Sequence, residues 1–313
     1  MFTLKHYILE IAKTGSFSQA ADHLYVSQPS LSAVVKRLER RIGEDLFDRG
    51  THPVRLTECG KEYVRCARAI EEVENNFQAY LDEHRKSQSG RLVLGGSNLN
   101  LSFVLPPLLK KFRERYPLVE ISLVESDIDE LQKLLFEGEV DLIIDSGAMD
   151  PTRFEEYPFQ SERLLLAVPR AFACNDEAKA YQISYEDVLG DAHADPALPR
   201  PPLSFLKNAP FLSMTPETDT GKREKNLFRH ESFRPTVLFS FRQQSTAFHM
   251  ACRGIGCAVI SDVLVKNSAS EPDLCFYKLD EKESFRHIKC YLKKGRRLSF
   301  AQRAFLELAG IQI

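Results

Sequence analysis

The feature that most restricts the fold is a change of hydrophobic period near residue 90. Upstream, apolar residues recur every three or four positions, so the first 87 residues read almost wholly as helix. Downstream, short apolar runs alternate with helical stripes. The runs are RLVLGG (91–96), VEISLVES (119–126), VDLIID (140–145) and LLLAVP (164–169); the stripes fall at 102–115 and 128–137. Strands separated by helices call for parallel pairing through right-handed crossovers. The two patterns predict separate domains, and 313 residues exceed what one core usually holds.

In the helical part, Leu4, Ile8, Ile11 and Ala12 share one face of a helix over about 3–14, closed by Gly15. Ser16 or Ser18 caps the next, about 18–24, with Ala20, Ala21 and Leu24 turned inward. After a turn at Tyr25-Val26, Ser27 caps a third helix. Gln28 and Pro29 stand in its first turn, where the missing proline N–H costs nothing. Leu31, Val34, Val35 and Leu38 form its core stripe, and Gly43 stops it. Leu46-Phe47 and Val54-Arg55-Leu56, joined by a turn at 50–53, predict a two-stranded wing. Thr57 then caps a long helix over about 58–87. Tyr63, Cys66, Ile70, Val73, Phe77, Tyr80 and His84 alternate by three and four, a seam three heptads long that favours pairing with a second copy. SQSG (87–90) reads as a polar hinge.

Later in the chain, 190–216 is polar and proline-rich and predicts a long connection. VLFSF (237–241), a helix at 245–253 and GCAVIS (256–261) form a second strand–helix–strand unit. CFYKL (275–279) and HIKCYLKK (287–294) are late strands, and 299–309 is a final helix.

Charge separates the two parts further. Residues 1–56 hold eight Lys/Arg and six Asp/Glu, a net of +2, which leaves −4 for the remainder of a chain of net −2. Within 27–41, Lys36, Arg37, Arg40 and Arg41 face only Glu39. A local field of this kind matters more for phosphate binding than the global balance. No apolar run approaches the ~18–20 residues that span a bilayer. Glu10 and Lys13 interrupt the first apolar stretch, which excludes a signal peptide and predicts a cytoplasmic protein without membrane contact. The seven cysteines lack CxxC spacing and read as small buried hydrophobes; Cys252 and Cys257 are the pair close enough in the chain to suggest a redox switch. The eight histidines are scattered, so neither a metal site nor a cofactor is expected.

Several of these residues carry a resemblance. Ala20-Ala21, Leu24, Ser27-Gln28-Pro29-Ser30, Ser32, Leu38-Glu39, Gly43, Leu46-Phe47, Arg49, Leu56-Thr57 and Gly60 together resemble the winged helix-turn-helix of LysR-type transcriptional regulators. LPPLLKKFRERYP (105–117), EGEVD (137–141) and RGIGCAVISD (253–262) stand where that family places similar strings, so the resemblance spans the chain. It departs at 190–235, and Ser261 stands where the family often has proline. The resemblance implies an α+β multidomain architecture. A winged helix-turn-helix at 1–57 precedes a linker or dimerisation helix at 58–88. A two-lobed α/β effector domain resembling type 2 periplasmic binding proteins follows at 89–313. Lobe I would take about 91–163 and 270–313, and lobe II about 164–269. It also implies double-stranded promoter DNA as partner, a small-molecule effector, and a homodimer or homotetramer.

The chemistry of the DNA face agrees. A major groove admits one helix, and its first turns read base edges. Those turns expose Gln28, which can pair bidentately with adenine, Ser30 and Ser32, which donate or accept, and Pro29, which fits a thymine methyl. Lys36 and Arg37 reach phosphate or guanine further along. Ser16 and Ser18 suit phosphate through hydroxyls and free N–H groups, and Arg49 and Arg55 on the wing suit phosphate or minor groove.

In the second part, ligands of parallel α/β domains sit at the carboxyl ends of strands. Ser97, Asn98 and Leu99 follow the first strand, Ser126 and Asp145 the second and third, and Gln244, Ser245 and Thr246 open a helix in the other lobe. Two helix N-termini converging on one cleft predict a small organic acid or other anion, although Ser97 and Ser245 would serve as N-caps in any protein. No GxSxG elbow, metal spacing or GxGxxG appears, so no enzyme is expected. A thiol-based redox-sensing regulator and a cytoplasmic small-molecule-binding protein are the alternatives.

Overall fold

The computed structural model describes residues 2–85 and 89–312, without the side chains of 78, 79 and 82–85. His84 of the expected seam, and Ser87 and Gln88 of the expected hinge, lie outside the described residues. The chain divides into two compact units, Met1–Arg85 and Lys86–Ile313. Among the described residues no helix is long and apolar enough to cross a membrane.

The first unit runs α1 (Lys5–Thr14), α2 (Phe17–His23), α3 (Gln28–Ile42), β1 (Phe47–Asp48), β2 (Arg55–Leu56) and α4 (Glu58–Arg85). Gly15 and Gly43 end α1 and α3 in the left-handed region, which a side chain would resist. β1 and β2 pair antiparallel as the wing. The core gathers Ile8, Ile11, Ala20, Ala21, Leu31, Val35, Leu38, Leu46 and Phe47. The start of α4 abuts the wing so closely that a Cβ on Gly60 would lie 2.0 Å from the Leu46 carbonyl oxygen.

This packing changes the expected dimerisation seam. Tyr63 is buried with Val64 and Ala67 in the core of its own unit, and its ring stacks on Phe2 at 4.8 Å. The first turns of α4 complete the three-helix core, so Tyr63 is not available to a partner. Cys66 and Ile70 are half-buried. Only the continuation is open: Val73 is 68% exposed, Phe77 61% and Tyr80 40%.

The second unit begins with β3 (Gly90–Gly96), a π-type turn (Asn100–Val104), α5 (Pro106–Arg115), β4 (Val119–Glu125), α6 (Ile128–Glu137), β5 (Leu142–Asp145) and β6 (Phe154–Pro169). It continues with α7 (Cys174–Glu177), β7 (Gln182–Ile183), α8 (Tyr185–Leu189), β8 (Pro210–Met214), α9 (Asp219–His230), β9 (Thr236–Phe241), α10 (Gln244–Cys252), β10 (Cys257–Ser261), α11 (Asp262–Lys266), β11 (Leu274–Lys278), α12 (Glu281–Ser284), β12 (Phe285–Lys293) and α13 (Phe300–Leu308). The strand order is β4-β3-β5-β12-β6-β10-β8-β9, with β11 on β6 and β7 on β11. β4 and β5 pair parallel to β3, and β9 and β10 parallel to β8. β12 and β6 run against their neighbours, so the sheet is mixed rather than parallel throughout.

β6 builds both lobes. Phe154–Arg163 pairs with β12 in the first, and Leu164–Pro169 pairs with β10 and β11 in the second. The chain was expected to re-enter the first lobe near 270. Instead β11 belongs to the second, because its apolar residues pair with Leu165–Pro169, and the return comes through 279–285. The expected connection at 190–216 contains β8, and α9 follows it. The helical period of α9 is hidden because its buried face is Thr220, Gly221, Glu224 and Leu227, mostly polar or small.

Candidate nucleic-acid interface and effector cleft

α3 presents Gln28, Pro29 and Ser30 to solvent, with Lys36, Arg37, Arg40 and Arg41 exposed further along. Ser27 caps the helix by accepting the Ser30 N–H at 3.3 Å, and its hydroxyl meets that of Ser30 at 2.7 Å. Of the two serines proposed for α2, Ser16 is the cap, accepting the Gln19 N–H, and Ser18 is exposed in the first turn. Lys36, Arg40, Arg49 and Arg55 line one open hollow of about 980 Å³ between α3 and the wing, together with Glu44, Asp45, Asp48 and Glu58.

Arg49 and Ser32, both expected on DNA, are engaged within the protein. Arg49 donates to Glu39 at 2.7 Å and to the Ser32 hydroxyl at 3.4 Å, and its guanidinium lies 5.1 Å from the Phe17 ring centroid. Glu39 is 4% exposed, and its other oxygen accepts the buried Leu46 N–H at 3.0 Å. One carboxylate thus ties the recognition helix to the wing. In the sequence Glu39 is part of the family resemblance and the one acid in a basic run, and nothing local shows which backbone amide it meets.

In the second unit, β3, β4, β5, α9 and α10 enclose a cleft of about 600 Å³. Ser97, Asn98, Leu99, Ser126, Asp145, Gln244 and Thr246 all line it. Ser245 does not; it donates to the Asn98 side-chain oxygen at 3.1 Å and joins the lobes. Two more contacts cross the same gap, Gln243 to Glu125 at 3.3 Å and Arg242 to Asp127 at 3.1 Å. Ser245 is not an N-cap, since Gln243 precedes α10 with no side-chain cap bond. Ser97 does stand just before a helical turn, its carbonyl accepting the Leu101 N–H at 3.0 Å, while its hydroxyl accepts from the Asn100 side chain at 3.0 Å.

The expected anion site has a resident acceptor. The Ser97 N–H donates to Asp145 at 3.1 Å, and Asp145 also accepts from Asn100 at 3.3 Å and Gly147 at 2.9 Å. Around it stand Glu125, Asp127, Asp129, Glu217 and Asp219, so six carboxylates face the two guanidiniums of Arg242 and Arg286. Arg286 is 5% exposed and compensated: its Nε meets Glu162 at 2.7 Å, and its Nη1 donates to Asp219 at 2.8 Å and Thr220 at 3.1 Å. Burial alone would raise the Asp219 carboxyl, but Arg286 and Arg223 beside it hold it below the usual carboxylate range. Glu162 and Arg286 are opposed on β6 and β12, where the chain crosses between lobes. Of these charges, Asp145 alone is singled out by the sequence. The others come from the end of β4 and the start of α6 (Glu125, Asp127, Asp129), from the approach to α9 and its first residue (Glu217, Asp219), from the residue after β9 (Arg242) and from the crossover strands (Glu162, Arg286).

Cysteine placement also differs from the expectation. Of the two cysteines close in the chain, Cys257 is buried in β10, and Cys252 is half-buried with its thiol pushed up by burial. Among the described residues Asp191, His193 and Asp262 lie close enough to share a cation. The Lys266 ammonium takes that role, 2.6 Å from Asp191 and 2.9 Å from Asp262.

Comparison with known proteins agrees with both parts. Residues 3–61 match the bacterial regulatory helix-turn-helix protein, lysR family, and residues 85–311 match the LysR substrate binding domain. The chain is 28% identical over 303 residues to an uncharacterised HTH-type transcriptional regulator, YcgK, of Bacillus subtilis, covering 97% of this chain and 92% of that one. Its fold is similar to a full-length OxyR variant from Pseudomonas aeruginosa (TM-score 0.69, 22% identity, 99% and 93% of the two chains). It is likewise similar to full-length CbnR crystallised with its target DNA (TM-score 0.62, 19% identity, 99% of each). The chain belongs to the LysR family of DNA-binding transcriptional regulators with an effector-binding domain.

Proposed function

We propose that this regulator reads operator DNA with α3 and changes its grip when a small molecule bearing a protonated amine occupies the cleft. Gln28, Pro29 and Ser30 read bases, with Ser32 beside them; Lys36, Arg37, Arg55, Ser16 and Ser18 hold phosphates. Arg49 keeps the wing in register through Glu39. The division of labour is a winged helix at 1–57, a linking helix at 58–88 and an effector domain at 89–313. Val73, Phe77 and Tyr80 supply the seam between two chains, and the apolar edge strand β9, with Val237, Leu238 and Phe239 exposed, suits further assembly. The protein works in the cytoplasm, beside the chromosome, as a binder rather than an enzyme.

The observation that carries the effector reading is the cleft's lining: six carboxylates, two committed guanidiniums, and an amide already bonded to Asp145. A carboxylate on the ligand would meet Arg242, already bonded to Asp127, whereas an ammonium group has Asp129 and Glu217 beside the four acids that already accept within the protein. The three lobe-crossing contacts give the ligand a lever, since it acts only if it binds one lobe arrangement better than another. The test is calorimetry on the full chain with amines, amino acids and simple organic acids. Retardation of the DNA upstream of its own gene then follows with each binder. Binding of organic acids alone would sink the amine reading. A binder that leaves retardation unchanged would sink the regulatory one.

A further inference from the structure

We propose that Tyr25 is a DNA-contacting residue whose hydroxyl donates a hydrogen bond to a phosphate at the edge of the groove that α3 enters. Tyr25 sits in the turn between α2 and α3 with φ +54°, a conformation that a bulky L residue resists. It is 97% exposed, the most exposed of the large hydrophobic side chains among the described residues. Its ring stacks on no other described ring. The fold does not use the side chain, yet its backbone is tightly held. The Tyr25 N–H reaches Asp22 at 3.2 Å and the Val26 N–H reaches Ala21 at 3.0 Å, while Leu24 and Val26 on either side pack on the core. The turn is rigid and the ring is projected from it.

The left-handed backbone at Tyr25 closes α2 as a Schellman cap, for which glycine would serve best, so a bulky exposed tyrosine at that position directs attention to its side chain. In helix-turn-helix docking the first helix crosses the phosphate backbone and the second enters the groove by its N-terminal end. Tyr25 lies at the junction of the two, three residues before Gln28. A tyrosine hydroxyl is among the groups that bind phosphate oxygens, and such contacts position a protein without reading sequence.

The experiment measures affinity of the full chain for its own upstream DNA and for unrelated DNA by fluorescence anisotropy at fixed salt, with Tyr25→Phe and Tyr25→Gly. Both variants should lose about tenfold on either DNA, the scale of a hydrogen bond to a charged group. Tyr25→Gly should melt at or above the wild-type temperature, because glycine accepts the positive φ. Wild-type affinity in either variant overturns the proposal. So does a loss confined to the specific DNA, or a loss accompanied by a lower melting temperature.

Discussion

Removing the Glu39 carboxylate tests whether one buried group really joins the recognition helix to the wing. Glu39→Ala strips the acceptor from the buried Leu46 N–H, 3.0 Å away, and the partner from Arg49, 2.7 Å away. An orphaned buried amide costs about 1–3 kcal/mol. The Arg49 side chain is 33% exposed, so solvent screens its pair, which adds about 1 kcal/mol or less. The wing should therefore open more easily by about 2–3 kcal/mol, which is about 30–150-fold faster amide exchange. Glu39→Gln keeps an oxygen for Leu46 and loses only the charge, so its exchange should rise by about fivefold or less. Hydrogen exchange read by mass spectrometry on peptides covering 44–49 reports this locally, whatever the second unit does. Unchanged exchange in the alanine variant, or equal acceleration in both, would refute the assignment of the carboxylate as the tie.

Other outcomes follow from the same structure. Arg286→Met leaves Glu162 buried without its cation and should cost the effector unit about 3–5 kcal/mol, visible as a lower thermal midpoint that Arg286→Met with Glu162→Met partly restores. Burial pushes the Glu224 carboxyl up to about 8 from an ordinary 4.5, so the folded state holds its proton more tightly than the unfolded. Its contribution to stability is full below pH 4.5 and falls as pH rises to about 8, by up to about 1.4 kcal/mol per pH unit. Urea midpoints of Glu224→Gln between pH 5 and 8 should lack that slope. Phe77→Asp should shift sedimentation towards the monomer without lowering the melting temperature, whereas Tyr63→Ala should lower it, by about 3–5 kcal/mol in stability.

Much of the first unit was legible because its signals are local. Caps at Ser16, Ser27 and Thr57, stops at Gly15 and Gly43, and the stripe Leu31–Leu38 each act within a few residues. The strands of the first lobe were legible for the same reason: LVL and LIID are buried on both faces and need no partner to be recognised. β8 and α9 were not. PFLSM is short and follows a run of prolines, and the buried face of α9 is spent on Thr220, Gly221 and Glu224, whose partners lie elsewhere in the chain. The first ten residues of β6 do not read as a strand because their apolar residues, Phe154, Tyr157 and Phe159, are few and are interrupted by the exposed Glu156, Pro158, Gln160 and Ser161.

The amino-acid order by itself determined the elements that repeat on a fixed period, and the recognition helix with its exposed first turn. It also determined that small residues and helix starts would surround a cleft in the second unit. Only the tertiary structure decided what each of those groups is free to do. The Ser97 amide is spent on Asp145, 48 residues on, Arg49 on Glu39, and Tyr63 on its own core. The cleft is acidic because its lining is drawn from segments scattered between residues 97 and 286, and no window of sequence adds their charges together. Periodicity is written in neighbours along the chain; the sign of a binding site is set by neighbours in space.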